Sequence, residues 1–296
     1  MSGITELGYA RFGVSNLDEW KGFARDILAL EVREDTQDAN SISLRMDYWH
    51  HRIVLEEDDC EELLGAGLRV AGPAEFEAMQ AILTKNDISF EVGNAEIVEN
   101  RKVLEVLLLK DPAGNPLEIF HGPRIDTHMP FYPGRRMHGR FVTEVGGLGH
   151  IMLAHQGLDS VYDFYKMLGM RGGIEYQYPI GPDTNLEMLF MHCSERDHSL
   201  AFGLPSDSGK NIQHMMIEVD NLDDVFVCYE LVKESKYPVR LDIGRHANDG
   251  MFSFYFIGPS GWQIEVGCEG QPAKHQSSYH IGDTYGHKLR TLEDQP

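Results

Sequence analysis

Two stretches of this chain carry one pattern, and the repeat constrains the fold more than any other feature. Residues 6–9 (ELGY) reappear as residues 147–150 (GLGH), and residues 111–118 (DPAGNPLE) reappear as residues 258–265 (GPSGWQIE). A chain of 296 residues is long enough to bury one or two sizeable cores. The spacing of the repeat therefore favours two similar domains.

The two copies differ at three positions where the second copy has residues that bind metals. Alignment of residues 69–72 with residues 218–221 sets a glycine of the first half against a histidine of the second. The aligned positions are Tyr9, Gly65 and Glu118 in the first half and His150, His214 and Glu265 in the second. Two histidines and one carboxylate with open coordination positions form the ligand set of non-haem Fe(II) oxygenases. We therefore predict a metal site in the second half and none in the first.

Composition excludes several classes of function. The formal net charge of −21 argues against nucleic-acid binding, which needs clustered Lys and Arg. The chain contains no run of about 18 apolar residues, so we expect no membrane span. The four cysteines are scattered without a CxxC pair, and the N-terminal residues lack the features of a signal peptide. We expect a cytoplasmic protein with reduced thiols.

Hydrophobic periodicity predicts two strand–helix–strand–strand–strand units in each half. Alternation from residue 148 to residue 154 predicts a strand that carries His150 on one face. Apolar residues at helical spacing follow, and Gly169 is typical of a helix end. The predicted helices lie near residues 17–27, 74–85, 158–168 and 222–234. The prediction is an α+β fold of four βαβββ modules paired into two similar domains.

The linker composition sets the predicted domain boundaries. Residues 122–140 are rich in Pro, Gly and charge, which is typical of a segment between domains. We predict an N-terminal, metal-free domain at residues 1–130, a catalytic domain at residues 140–270, and a tail at residues 271–296 that packs on the catalytic domain.

The turn at residues 258–261 predicts a hairpin that brings Tyr255 across from Glu265, to within about one residue of register.

One group of residues resembles a family signature. Residues 244–249 (GRHAND), followed by Phe254, Tyr255, Pro259, Gly261 and Glu265, resemble the signature of type I extradiol ring-cleavage dioxygenases, which belong to the vicinal oxygen chelate (glyoxalase-like) superfamily. The resemblance extends over nearly the whole chain and is strongest to the two-domain group that cleaves bicyclic catechols. Gly258 departs from the signature, but it lies in a turn where glycine is easily accommodated.

The resemblance implies a role for each matching residue. The implied roles are Fe(II) binding for His150, His214 and Glu265, a position beside bound oxygen for His198, contact with the catechol oxygens for His246 and Tyr255, support of that pocket for Asn248 and Asp249, and lining of the oxygen and substrate pockets for Phe190 and Ala201. A catechol would occupy two open positions on the metal and O2 the third. Without the resemblance, His198 and His246 would not stand out among the 14 histidines.

Several alternatives remain open at this stage. Mn(II) accepts the same ligand set as Fe(II). The substrate of the implied reaction could be 2,3-dihydroxybiphenyl, 1,2-dihydroxynaphthalene, a steroid catechol or a monocyclic catechol. The same fold also supports metal-dependent lyases of the glyoxalase type and metal-free proteins that sequester antibiotics, and fold alone does not separate them. We expect a homo-oligomer, as is usual for soluble enzymes.

Overall fold

Two eight-stranded sheets with the same internal order form the body of the molecule. The computed structural model describes residues 3–34, 39–155, 157–182, 184–206, 209–273 and 280–290. The strands of the first sheet are β1 (Ile4–Val14), β2 (Glu31–Glu34), β3 (Ser41–Arg45), β4 (Ile53–Glu57), β5 (Leu63–Val70), β6 (Phe90–Val92), β7 (Glu105–Lys110) and β8 (Pro116–His121). They are arranged in the order β2-β3-β4-β1-β5-β8-β7-β6.

The second sheet repeats that arrangement strand by strand. Its strands are β9 (His150–Leu153), β10 (Arg171–Gly181), β11 (Thr184–His192), β12 (Leu200–Phe202), β13 (Ile212–Glu218), β14 (Val239–Arg245), β15 (Phe252–Ile257) and β16 (Gln263–Cys268). Their order is β10-β11-β12-β9-β13-β16-β15-β14. Each sheet therefore consists of two βαβββ modules joined through one central antiparallel pair, and the predicted α+β fold of paired modules is confirmed.

Strand register confirms the alignment of the two halves. In the first sheet, Gly67 pairs with Tyr9 on one side and with Glu118 on the other. In the second sheet, Met216 pairs in the same way with His150 and Glu265. Gly65 precedes Gly67 by two residues on β5, and His214 precedes Met216 by two residues on β13. Residues two apart on a strand face the same side of the sheet. Gly65 and His214 are therefore equivalent, as the sequence alignment predicted.

Five α-helices accompany the sheets in the described part of the chain. They are α1 (Leu17–Asp26), α2 (Pro73–Lys85), α3 (Ala95–Arg101), α4 (Leu158–Met167) and α5 (Leu222–Lys233), and a 3-10 turn spans Glu144–Gly146. The four predicted helices correspond to α1, α2, α4 and α5. Helix α3 was not predicted, because it buries none of its residues and so shows no apolar periodicity. Asn94 caps it by accepting a hydrogen bond from the Ile97 amide at 3.0 Å.

The two halves share a continuous apolar core. Trp20 on α1 packs against Trp262, with ring centroids 5.4 Å apart, and its indole Nε1 donates to Ser260 Oγ at 2.9 Å. In the reciprocal contact, the Tyr165 hydroxyl on α4 donates to Asp111 Oδ2 at 3.1 Å. The first helix of each half thus contacts the hairpin turn of the other half. These contacts hold the two sheets in a fixed relation.

The end of the chain lies against the second sheet. Residues 280–290 form isolated backbone bridges with β10 and β14, whereas residues 274–279 and 291–296 of the predicted tail lie outside the described residues. None of the helices within the described ranges combines the length and the apolar character that crossing a membrane requires.

Candidate metal centre and active site

Three neighbouring strands bring the predicted metal ligands together. His150 begins β9, His214 lies on β13 and Glu265 lies on β16, and all three side chains are buried. The two histidine Nε2 atoms are 2.8 Å apart, and they lie 3.2 Å and 3.4 Å from Glu265 Oε2. Ligand atoms on mutually perpendicular bonds of about 2.1 Å to one metal lie about 3 Å apart. The observed spacing therefore fits one face of an octahedral ion.

The surroundings of these atoms also fit a metal. Glu265 is fully buried, and neither of its carboxylate oxygens has a hydrogen-bond donor among the described residues. Burying a carboxylate without a partner is costly, and a cation would remove that cost. His214 Nδ1 donates to Gln213 Oε1, which leaves the lone pair on Nε2 free for a metal. Burial lowers the pKa of His214 to about 4, so the ring is neutral, as a ligand must be.

His198 lies beside the first of these ligands. Its ring centroid is 4.1 Å from that of His150 and 4.7 Å from that of Phe190. Asp197 Oδ1 lies 3.1 Å from His198 Nδ1. Burial lowers the pKa of His198, but the nearby carboxylates of Asp197 and Asp249 raise it by a larger amount. The net pKa of His198 therefore lies above its ordinary value. His198 can therefore hold a proton next to the metal position.

Tyr255 and His246 form a second polar group next to the Glu265 carboxylate. Tyr255 pairs directly with Glu265 across β15 and β16, which confirms the predicted hairpin. The Tyr255 hydroxyl is 2.7 Å from His246 Nε2, and that nitrogen is 3.4 Å from Glu265 Oε1. Burial and the charge of Glu265 raise the pKa of Tyr255 well above its usual value. The phenol therefore stays protonated and can donate a hydrogen bond.

The two other polar residues of the predicted pocket contact different neighbours. Asn248 Nδ2 donates to Glu175 Oε2 at 2.8 Å, so Asn248 fixes the loop after β14 to β10. Asp249 accepts from the Met251 amide at 2.8 Å. An Asp249 oxygen also lies within 4.8 Å of ligand atoms of Asp197 and His198. Asp249 therefore contributes its charge to the surroundings of His198.

Phe190 and Ala201 belong to an apolar wall next to the metal position. They pair with each other across β11 and β12. The wall is a buried cluster separate from the main core, and its members are Met152, Tyr176, Met188, Phe190 and Ala201, with Tyr178, Leu204 and Ala247 packed against it. Met152 follows His150 by two residues on the same face of β9. An aromatic group held at the metal would therefore meet apolar side chains.

Sequence reasoning missed one residue that contacts the site. Asp283 Oδ1 accepts hydrogen bonds from His246 Nδ1 at 2.8 Å and from the Tyr176 hydroxyl at 3.0 Å. Asp283 Oδ2 accepts from His287 Nδ1 at 2.9 Å. His287 lies in the segment that was predicted only as a tail. No local pattern signals Asp283, because its partner His246 lies 37 residues earlier in the chain.

The equivalent position in the first sheet holds protein cations. Glu118 accepts from the Tyr9 hydroxyl at 2.5 Å, from Arg11 at 2.7 Å and from Arg101 at 3.1 Å. A Cβ added to Gly65 would lie 3.1 Å from the Glu118 carboxyl carbon. Two guanidinium groups thus neutralise the carboxylate at the place where the second sheet has two histidines. We therefore expect no metal to bind at this position of the first half.

The chain is similar to known proteins over nearly its whole length. Residues 147–266 match the model of the glyoxalase/bleomycin resistance protein/dioxygenase superfamily. Biphenyl-2,3-diol 1,2-dioxygenase of Sphingomonas paucimobilis is 43% identical, with 97% of this chain and 95% of the relative covered. The 1,2-dihydroxynaphthalene dioxygenase of Sphingobium xenophagum is 42% identical, with 97% and 96% covered. A crystal structure of a catechol 2,3-dioxygenase superposes with a TM-score of 0.95 at 43% identity, covering 98% of this chain and 96% of that one.

A further relative connects this similarity to a metal. The iron-dependent extradiol dioxygenase of Rhodococcus jostii is 33% identical, with 93% of this chain and 92% of the relative covered. His150, His214 and Glu265 bring together ligand atoms that could hold a metal ion. The family predicted from the sequence is confirmed. The chain belongs to the extradiol ring-cleavage dioxygenases of the glyoxalase/bleomycin resistance protein/dioxygenase superfamily.

Proposed function

We propose that the protein cleaves a bicyclic catechol with O2 at an Fe(II) ion bound by His150, His214 and Glu265. The observation that carries the proposal is the convergence of three buried ligand atoms, the Nε2 atoms of His150 and His214 and Oε2 of Glu265, which lie 2.8 to 3.4 Å from one another. A bound Fe(II) would supply open coordination positions and the redox chemistry that lets a catechol react with O2. The iron-dependent relative supports iron over manganese.

The protein's own residues supply orientation and protons. Tyr255 holds its phenol proton and can donate it to one catechol oxygen, and His246 Nε2, 2.7 Å from that hydroxyl, lies on the same side. His198 has Nδ1 engaged with Asp197, so Nε2 is the atom that holds or releases a proton at the oxygen position. His198 contacts His150, whereas Tyr255 and His246 lie beside Glu265. We therefore assign different proton donors to the catechol and to the oxygen.

The apolar wall supports a substrate with more than one ring. Met188, Phe190 and Tyr176 present aromatic and aliphatic surface, and the Phe190 ring lies 4.7 Å from that of His198. Tyr178 stacks on Tyr176 at 5.5 Å between ring centroids. A second ring would bury apolar area there, at roughly 25 cal/mol per Å2. The names of the biphenyl-diol and naphthalene-diol relatives point the same way. Steroid and monocyclic catechols are the alternative substrates.

A substrate panel tests this proposal. The protein is loaded anaerobically with Fe(II) and mixed with oxygenated 2,3-dihydroxybiphenyl, 1,2-dihydroxynaphthalene, 3-methylcatechol or catechol. We expect a yellow ring-opened product, about one O2 consumed per ring, and kcat/KM at least about tenfold higher for the two bicyclic diols, as an added apolar contact allows. A preference for catechol would contradict the bicyclic assignment. Activity only after loading with Mn(II) would contradict the assignment of iron.

A metal lyase of the glyoxalase type is the second candidate. Such a site would draw ligands from both halves, and the first half offers Glu118 already neutralised by Arg11 and Arg101. Conversion of a hemithioacetal by the metal-loaded protein would favour it.

We further propose domains at residues 1–130 and 140–270 with a tail at 271–296, a cytoplasmic location and a homo-oligomer. These proposals are supported by the sequence composition and by the usual behaviour of soluble enzymes.

A further inference from the structure

The segment near the C-terminus connects the two outer strands of the second sheet. At β10, the His280 amide donates to Glu175 O at 2.7 Å, and the Gln177 amide donates to His280 O at 2.9 Å. At β14, the Arg245 amide donates to Tyr285 O at 2.8 Å. Because β10 and β14 lie at opposite ends of the strand order, residues 280–290 span the opening between them. We call residues 280–290 the closing segment.

Asp283 lies where the closing segment crosses this opening. Its carboxylate accepts from Tyr176 on β10, from His246 just after β14, and from His287 within the segment itself. His287 Nε2 lies 3.2 Å from the oxygens of Ser253 on β15. One carboxylate therefore joins both edges of the sheet, and it does so on the side of His246 opposite to Tyr255.

Two glycines let the closing segment approach the strand that carries His246. A Cβ on Gly244 would lie 2.3 Å from the His287 backbone nitrogen, a distance that real Cβ atoms do not reach. Gly286 has φ +79, which L side chains rarely adopt, and its own Cβ would lie 2.3 Å from Ile243 O. The close approach of β14 and the closing segment is therefore specified by residues on both sides.

We propose that Asp283 is a positioning residue that holds the His246 ring in its working orientation. This inference rests on the proposed function, in which His246 contacts the catechol. A carboxylate only accepts hydrogen bonds, so it keeps a proton on His246 Nδ1 and directs Nε2 toward the Tyr255 hydroxyl and the Glu265 carboxylate, where the catechol is proposed to bind. Because His287 and Tyr176 hold the carboxylate itself, Asp283 cannot rotate away. The closing segment thus completes the active site.

A double-mutant cycle tests whether Asp283 acts through His246. We expect Asp283→Ala to lower kcat about 10- to 100-fold, the usual cost of removing the partner that orients a site histidine, with a smaller change in KM. In the His246→Ala background the same substitution should change kcat by less than about twofold, because the residue that it orients is already gone. Asp283→Asn retains an acceptor oxygen and should recover part of the loss.

The outcomes separate this inference from the proposed function. An equal loss in both backgrounds, or no loss in either, overturns the positioning role even while the protein cleaves catechols. A wild-type protein that cleaves no catechol overturns the proposed function before the cycle is read. Anaerobic binding of 2,3-dihydroxybiphenyl gives a readout besides activity. Asp283→Ala should weaken this binding while leaving the metal content at wild-type level, and a loss of metal would also overturn the inference.

One further variant controls for simple loosening of the closing segment, and a second displaces the segment next to His246. Asp242 accepts from Arg290 Nε at 2.7 Å, so Asp242→Ala weakens docking of the segment away from His246. We expect it to keep kcat within about twofold of wild type, as for a surface ion pair. Gly244→Ala should displace the segment at His287 and lower kcat as Asp283→Ala does. Hydrogen exchange at the Thr284 amide, which donates to Arg245 O at 2.9 Å, reports docking directly.

Discussion

Replacing Glu118 by Gln tests the idea that protein cations take the place of a metal in the first sheet. Glu118 is 3% exposed and accepts hydrogen bonds from Tyr9, Arg11 and Arg101. The amide of Gln keeps the size and one acceptor oxygen but removes the charge. The two guanidinium groups then lose the carboxylate that lies between them. We therefore expect the free energy of unfolding to fall.

The structure sets the size of this loss. Breaking a buried ion pair by removing one partner costs about 3–5 kcal/mol. Glu56 lies 2.8 Å from Arg11 Nε and continues to neutralise that guanidinium. The Arg101 side chain is 15% exposed and can recover some hydration. Both effects place the expected loss at the lower end, at about 3 kcal/mol.

Urea unfolding followed by circular dichroism measures the change, with Fe(II) present and with chelator present. Because the Glu118 cluster involves no metal, we expect the same loss under both conditions and an unchanged iron content. The matched variant is Glu265→Gln, whose effect on stability should depend on the metal. A loss below about 1 kcal/mol for Glu118→Gln, the value of an exposed pair, would refute the reasoning. So would a loss that appears only with iron bound.

Three other substitutions give expected outcomes. Glu265→Gln should abolish both stoichiometric iron, measured by metal analysis, and O2 uptake with any catechol, and retained iron would contradict the ligand assignment. Ala201→Val adds two methyl groups to the apolar wall, so the ratio of kcat/KM for 2,3-dihydroxybiphenyl over catechol should fall about tenfold. Burial, reinforced by Asp197, raises the pKa of Glu175 from 4.5 to about 7, so the contribution of Glu175 to the free energy of unfolding falls by about 3 kcal/mol as pH rises through that window. Glu175→Gln should flatten this fall in urea titrations between pH 4.5 and 8, and an unchanged slope would contradict the shift.

The sequence by itself predicted the fold, because local patterns specify each element and the whole set of patterns occurs twice in the chain. Strand alternation, helical spacing and turn residues specified the βαβββ order of each module, and the repeat aligned one half with the other. The same alignment predicted that His150, His214 and Glu265 occupy strand positions equivalent to those of Tyr9, Gly65 and Glu118. The pairing of Tyr255 with Glu265 also followed from the sequence, because a short hairpin fixes the register of its own strands.

Only the tertiary structure decided which side chains surround these positions. Arg11 and Arg101 contact Glu118 although they lie 107 and 17 residues away in the sequence. Arg101 lies on α3, a helix that has no buried residues and was therefore not predicted. Asp283 reaches His246 because the chain crosses the opening of the second sheet after its last strand. Hydrophobic periodicity indicates which face of a segment is buried in the core, but it does not indicate which distant polar atoms contact each other. Those side-chain contacts depend on how the folded sheet brings distant segments together, which is a property of the whole domain.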